Sequence, residues 1–184
     1  MILLAAGDSF VWGSELTDSP HGGPAGYSNS TFTAILAEQN HMPYQCVAYP
    51  GADNKDILQQ ILSATTDHMV IACWTWPSRS SDKHSDVEIT QAQQYLEGNT
   101  IPYLFMCADN CVITTNSDIL LGQWFMFPPG TGVSQTSDPR GFYQWARENK
   151  YLCGADGHPL EQAHQDAAGL IQGKFYEMVK KYLE

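Results

Sequence analysis

The chain has 184 residues, with 9 Lys and Arg against 20 Asp and Glu and a formal net charge of -11. A surface this acidic offers no basic patch to displace counterions from phosphates, which excludes nucleic acid and disfavours an anionic membrane or an acidic partner. No apolar run approaches the roughly 20 residues of a membrane span. A chain of this length, read as one domain over 1–184, buries roughly 70% of its extended surface in a common core.

Met1 to Ala6 is apolar, has no basic leader and is cut short by Gly7-Asp8-Ser9. It therefore reads as a strand rather than a secretion signal, and the expectation is a soluble cytoplasmic protein. Further short apolar runs at Gln45–Tyr49, Met69–Trp74, Pro102–Cys107 and Trp124–Phe127 complete five expected strands. They are apolar on both faces, as buried parallel strands are.

Between them lie stretches of helical period. After a polar, Gly/Pro-rich loop from Ser14 to Gly26, Phe32, Ile35 and Leu36 share one stripe; Ile57, Leu58, Ile61 and Leu62 form a second, capped by Asp53 or Asn54. A third helix is expected over Asp86–Glu97, stopped by Gly98. The segment Asn110 to Gln135 reads less clearly, with a short helix expected around Asp118–Leu121 and a stop at Pro128-Pro129-Gly130. Phe142, Trp145 and Ala146 suggest another short helix. Ala163, Ala167, Leu170, Ile171, Phe175, Met178 and Tyr182 mark the last one. Alternation of this kind predicts an α/β fold: a three-layer α/β/α sandwich on an open, mostly parallel five-stranded sheet.

None of the five cysteines stands in a C-x-x-C spacing. Cys46, Cys73 and Cys107 fall in the strand-like runs, where a free thiol acts as a small buried hydrophobe, and a reducing compartment suits them.

The chemistry concentrates at two distant places. Gly7-Asp8-Ser9-Phe10 directly follows the first strand, at the carboxyl end where an open parallel sheet binds its ligands. Taken alone, Gly-Asp-Ser is a common capping turn. Near the other end, Asp156-Gly157-His158-Pro159 precedes the last helix, with His164 close behind. A serine hydroxyl needs a base of pKa near 7 and a group that orients that base; Ser9, His158 and Asp156 supply the three roles.

These blocks resemble those of the SGNH hydrolase superfamily, also called GDSL esterases. In that family a Gly-Asp-Ser block follows the first strand and an Asp/His block precedes the last helix. Tyr49-Pro50-Gly51-Ala52-Asp53-Asn54 resembles the second family block, whose glycine gives an N–H to the oxyanion hole. The resemblance implies a flavodoxin-like SGNH hydrolase fold with Ser9 as nucleophile, His158 as base, Asp156 as orienting acid, and Ser9 and Gly51 amides in the oxyanion hole.

Two departures stand out. The asparagine of the family's third block is missing, since the third strand ends in Cys73-Trp74-Thr75-Trp76-Pro77, and Thr75 is the candidate replacement donor. Asp156 stands two residues before His158, where the family has three, so its reach depends on Gly157; the alternative is a Ser-His dyad.

Trp12, Trp74 and Trp76 are candidates for contact with a sugar ring or an acyl group, and Arg79 for an anionic substrate group. The alternative is an ordinary core position for the aromatics and an ordinary surface position for Arg79. Asp156, His158, His164 and Asp166 have the chemistry of metal ligands but no recognised ligand spacing, so neither a metal nor another cofactor is expected. The resemblance implies a serine esterase for short acyl esters, acetyl groups on carbohydrates foremost. An O-acyltransferase on the same site and a catalytically weak glycan-binding module are the alternatives.

Overall fold

The computed structural model describes residues 1–19, 26–79, 85–112, 123–130 and 140–183. The helix expected around Asp118–Leu121 lies outside them. Among the described residues four parallel strands form the sheet: β1 (Ile2–Ala6), β2 (Tyr44–Cys46), β3 (His68–Trp74) and β4 (Tyr103–Cys107), in the order β2-β1-β3-β4. The fifth expected strand contracts to one parallel bridge, Trp124 beside Phe105, after which Phe127 pairs antiparallel with Arg140. Pro128 and Pro129 supply no N–H to carry a ladder further. β2 is shorter than its apolar run because the chain turns away at Tyr49, where Ala52 N–H donates to the Tyr49 carbonyl and Gly51 takes a φ of +84°.

Among the described residues the helices are α1 (Ser9–Trp12), α2 (Phe32–Gln39), α3 (Asn54–Leu62), α4 (Asp86–Gly98), α5 (Phe142–Glu148) and α6 (Glu161–Leu183). Strand alternation divides the core in two. Leu3, Ala5, Met69, Ile71, Cys73, Leu104 and Met106 point to a layer built by α1, α2, α5 and α6. Leu4, Ala6, Val70, Ala72, Trp74, Phe105 and Cys107 point the opposite way, toward α3 and α4. The expected three-layer α/β/α sandwich is therefore the observed one.

Local chemistry sets the helix ends. Thr31 caps α2 through Ala34 N–H, and Asp53 and Asp56 form a reciprocal capping box on α3. Asn54, the other capping candidate, points inward instead. On α6, Ala163, Ala167, Ile171, Phe175 and Met178 are buried, while Leu170 turns out to the exposed side. Among the described residues no helix is long and apolar enough to cross a membrane. Among the described residues no disulfide forms, and Cys73 and Cys107 are buried in β3 and β4.

The strand order reverses between β1 and β3: the chain leaves β1 for β2 on one side and returns to β3 on the other. A crevice opens outside the carboxyl ends of two strands at such a switch point. β1 leads there into Ser9, and β3 into Thr75 and the 3-10 turn Pro77–Arg79.

Candidate active site

Ser9 is held by the turn that ends β1. Gly7 is fixed from α3 by a two-way amide contact: its N–H donates to Gln60 Oε1 (2.7 Å), and Gln60 Nε2 donates to its carbonyl (3.1 Å). A Cβ on Gly7 would meet Val11 Cγ2 at 2.5 Å, so only glycine lets α1 start this close to the strand. Asp8 caps α1 through Phe10 N–H (3.0 Å) and is fully buried. Its Oδ2 accepts from the Thr75 hydroxyl (2.8 Å) and pairs with Arg79 Nη1 (3.1 Å). Burial pushes its carboxyl above the usual range, against the opposing pull of Phe10 N–H, Arg79, Thr75 and His158.

Ser9 opens α1, so its own N–H has no acceptor within the helix. Its hydroxyl lies 2.9 Å from His158 Nε2. The two residues expected to meet from opposite ends of the sequence are thus within hydrogen-bond range.

The partner on the far side of the imidazole is Glu15, not Asp156. His158 Nδ1 lies 2.8 Å from Glu15 Oε2, which also accepts the His158 backbone N–H (3.1 Å). Asp156 donates its backbone N–H to Glu15 Oε1 (2.9 Å), and its own side chain is exposed. Gly157, at a φ of +89°, bends the loop so that Gly157 N–H reaches the Gly154 carbonyl (3.1 Å). That turn carries Asp156 on its outer side with the amide facing in, which corrects the expectation of an Asp156–His158 contact.

Several features place Glu15. α1 ends at Gly13, whose φ is +86°, and Gly13 and Ser14 N–H groups both donate to the Ser9 carbonyl (2.9 and 3.0 Å). Glu15 itself adopts a φ of +68°, sparsely populated for a side-chain-bearing residue, so the chain doubles back beneath His158. Gly154 makes room: a Cβ there would lie 2.4 Å from the Glu15 carboxylate. The Glu15 side chain is only 6% exposed. Burial raises its carboxyl, but the Asp156 N–H, the imidazole and the His158 N–H outweigh that and bring it down to about 2.

The ionised carboxylate can only accept hydrogen bonds, which assigns the imidazole proton to Nδ1 and leaves the Nε2 lone pair facing Ser9 Oγ. Phe10 packs edge-on against the same ring, with centroids 5.5 Å apart. Sequence reasoning missed Glu15 because a glutamate after a loop glycine carries no distinguishing pattern. Its nearness to Ser9 in sequence was the one usable signal.

The remaining candidates separate. Thr75 commits its hydroxyl to Asp8, and its backbone is locked by Asn54, whose Oδ1 accepts Thr75 N–H (2.9 Å) while Nδ2 donates to the Thr75 carbonyl (3.0 Å). The expected hydroxyl donor to an oxyanion is therefore already engaged. Trp74 is fully buried against Phe105 in the layer facing α3 and α4, so it has no face to offer a substrate. Trp12 packs edge-on to Tyr27. Trp76 is half-buried and packs on Phe10 and Tyr143, and Arg79 lies over its ring at 5.4 Å.

Of the metal-ligand types, Asp166 accepts from Tyr151 and Gln162 (2.6 and 3.0 Å). His164 is buried, stacks on Phe32 and accepts Phe32 N–H at Nδ1 (3.2 Å), and burial lowers it to about 3. Among the described residues no group of three or more His, Cys, Asp or Glu is gathered to hold a metal ion.

Neither a protein-family model nor a curated protein sequence matches the chain. Solved structures do. It is similar to the psychrotrophic esterase EstA from Pseudoalteromonas sp., a structure inhibited by monoethylphosphonate, with TM-score 0.56 and 15% identity over 99% of this chain and 98% of that one. It is similar also to a protein of the G-D-S-L family from Desulfitobacterium hafniense DCB-2, with TM-score 0.53 and 14% identity over 94% and 98% of the two chains. A third match is TesA, with TM-score 0.52 and 12% identity over 97% and 99%. The likeness runs the length of both partners in each case, and the chain has the fold of the SGNH (GDSL) hydrolases.

Proposed function

We propose that the protein is a serine esterase in which Ser9 is the nucleophile, His158 the general base and Glu15 the carboxylate that orients and stabilises the imidazole. The observation that carries this reading is the unbroken chain Ser9 Oγ, His158 Nε2, His158 Nδ1, Glu15 Oε2, with contacts of 2.9 and 2.8 Å. As Ser9 attacks an ester carbonyl, its proton passes to Nε2, and the imidazolium that forms is held by the charged Glu15. The same proton then goes to the leaving alcohol, and water, activated by the neutral imidazole, releases the acid from Ser9.

The oxyanion is assigned to the N–H groups of Ser9 and Gly51. The Ser9 amide stands at the first position of α1, and Gly51 follows β2 at the same end of the sheet. Short acyl esters are the proposed substrates, with acetyl esters on carbohydrates first and Trp76, which packs on the Phe10 ring that meets His158, as the candidate aromatic contact. No step in this scheme needs a cofactor.

A fluorophosphonate should label the wild-type protein at Ser9. Ser9→Ala should abolish that label and lower turnover of p-nitrophenyl acetate by about 10⁴-fold or more. Hydrolysis that survives Ser9→Ala undiminished removes the assignment. Acetylated sugars assayed beside p-nitrophenyl esters of increasing acyl length decide the substrate class.

A further inference from the structure

The proposed oxyanion hole draws its two amides from different segments, the β1–α1 turn and the β2–α3 turn, so something must fix one against the other. The family's third-block asparagine is absent, and Thr75 has both its hydroxyl and its backbone engaged. Arg79 remains in that stretch. Its Nη1 lies 3.1 Å from Asp8 Oδ2 and 3.4 Å from the Ala52 carbonyl. Asp8 is the chain neighbour of Ser9, and Ala52 is the chain neighbour of Gly51. One guanidinium nitrogen therefore ties together the two turns that carry the amides.

The rest of the side chain supports that placement. The guanidinium lies over the Trp76 ring, which packs on Phe10, and Phe10 in turn packs on His158. Asp8 cannot drift, being fully buried and bound by Phe10 N–H and the Thr75 hydroxyl. The Arg79 side chain keeps 32% of its surface exposed, so the cation is partly solvated while Asp8 is not.

We infer that Arg79 is the positioning residue of the oxyanion hole, setting the spacing of the Ser9 and Gly51 amides and placing a positive charge beside them where the family uses an asparagine side chain. This rests on the esterase reading. The interaction strengthens as charge develops on the carbonyl oxygen, so it acts on kcat more than on KM, and a misplacement of about 1 Å is enough to cost about 100-fold.

The test compares Arg79→Ala, Arg79→Lys and Thr75→Val with wild type in p-nitrophenyl acetate hydrolysis and in the rate of fluorophosphonate labelling. Thr75→Val removes an Asp8 contact without touching Ala52. Arg79→Ala should lower kcat and the labelling rate by about 100-fold with KM changed less than about threefold. Because both contacts run through a single nitrogen, Arg79→Lys should recover about tenfold of that loss, and added guanidinium ion should partly restore Arg79→Ala.

If Arg79→Ala fails to fold, Arg79→Lys decides. A deficit of about tenfold in kcat at unchanged KM supports the assignment, and wild-type kcat overturns it. Wild-type kcat in Arg79→Ala overturns it as well, as does a loss confined to KM, or an equal loss in Thr75→Val. In those three cases the esterase reading stands. Failure of the wild-type protein to label at Ser9 overturns both.

Discussion

Replacing Glu15 by glutamine preserves the shape of the side chain but puts an amide where a carboxylate accepts three hydrogen bonds. An amide NH₂ facing Nδ1 favours the tautomer that protonates Nε2, the nitrogen that receives the serine proton in the proposed mechanism. Glu15→Gln should therefore lower kcat for p-nitrophenyl acetate by about 100- to 10,000-fold. Asp156→Ala should leave it within about threefold, because that side chain is exposed and only its backbone N–H touches the site. The reverse order of effects would return the orienting role to Asp156. Contacts at this scale follow from geometry rather than residue type: both carboxylates suited the proposed chemistry, and with the turn at Gly157 it is Glu15 that lies against the imidazole.

At the level of elements, α5 is seated against the end of β4 by direct backbone contact. Gly141, its N-cap residue, has a conformation any residue adopts, yet a Cβ there would lie 2.3 Å from Asp109 N and 2.4 Å from the Ala108 carbonyl oxygen. Backbone cannot move aside as a side-chain tip can. Gly141→Ala should therefore destabilise the protein by about 1–3 kcal/mol, read from the urea midpoint. An unchanged midpoint would mean that α5 is free to shift. β1, β3, β4, α4 and α6 were legible within a residue or two, because long periodic or fully apolar runs identify themselves. The fifth strand was not. Its apolar residues Trp124 and Phe127 are buried as expected, but burial does not require a ladder, and the chain crosses the β4 edge with one parallel bridge.

Across the whole molecule, two groups tie stability to acidity in the same direction. His164 falls from the ordinary 6.5 to about 3 on burial, so its native neutral form is favoured at high pH. Below about pH 6.5 the unfolded chain binds a proton that the folded chain refuses, and stability declines by at most about 1.4 kcal/mol per pH unit from this group. Glu15, lowered from 4.5 to about 2, adds a loss of the same sign between about pH 4.5 and 2. Urea midpoints should fall steadily from pH 7 to pH 4. His164→Gln should flatten that fall by about one proton while retaining an acceptor for Phe32 N–H. An equally steep fall in the variant would place the linkage elsewhere.

Composition and strand runs determined the α/β class and its layers, because hydrophobic periodicity is written locally. The expectation that Ser9 meets His158 came from the resemblance of the Gly-Asp-Ser and His-Pro blocks to the SGNH family. Tertiary structure alone decided which carboxylate meets the imidazole, that Thr75 serves Asp8, that Trp74 belongs to the core, and that Arg79 spans two turns. Each depends on distances between segments far apart in sequence, such as Glu15 and His158 at a separation of 143 residues. Such distances are set by packing the helices on both faces of the sheet, and no local pattern encodes them.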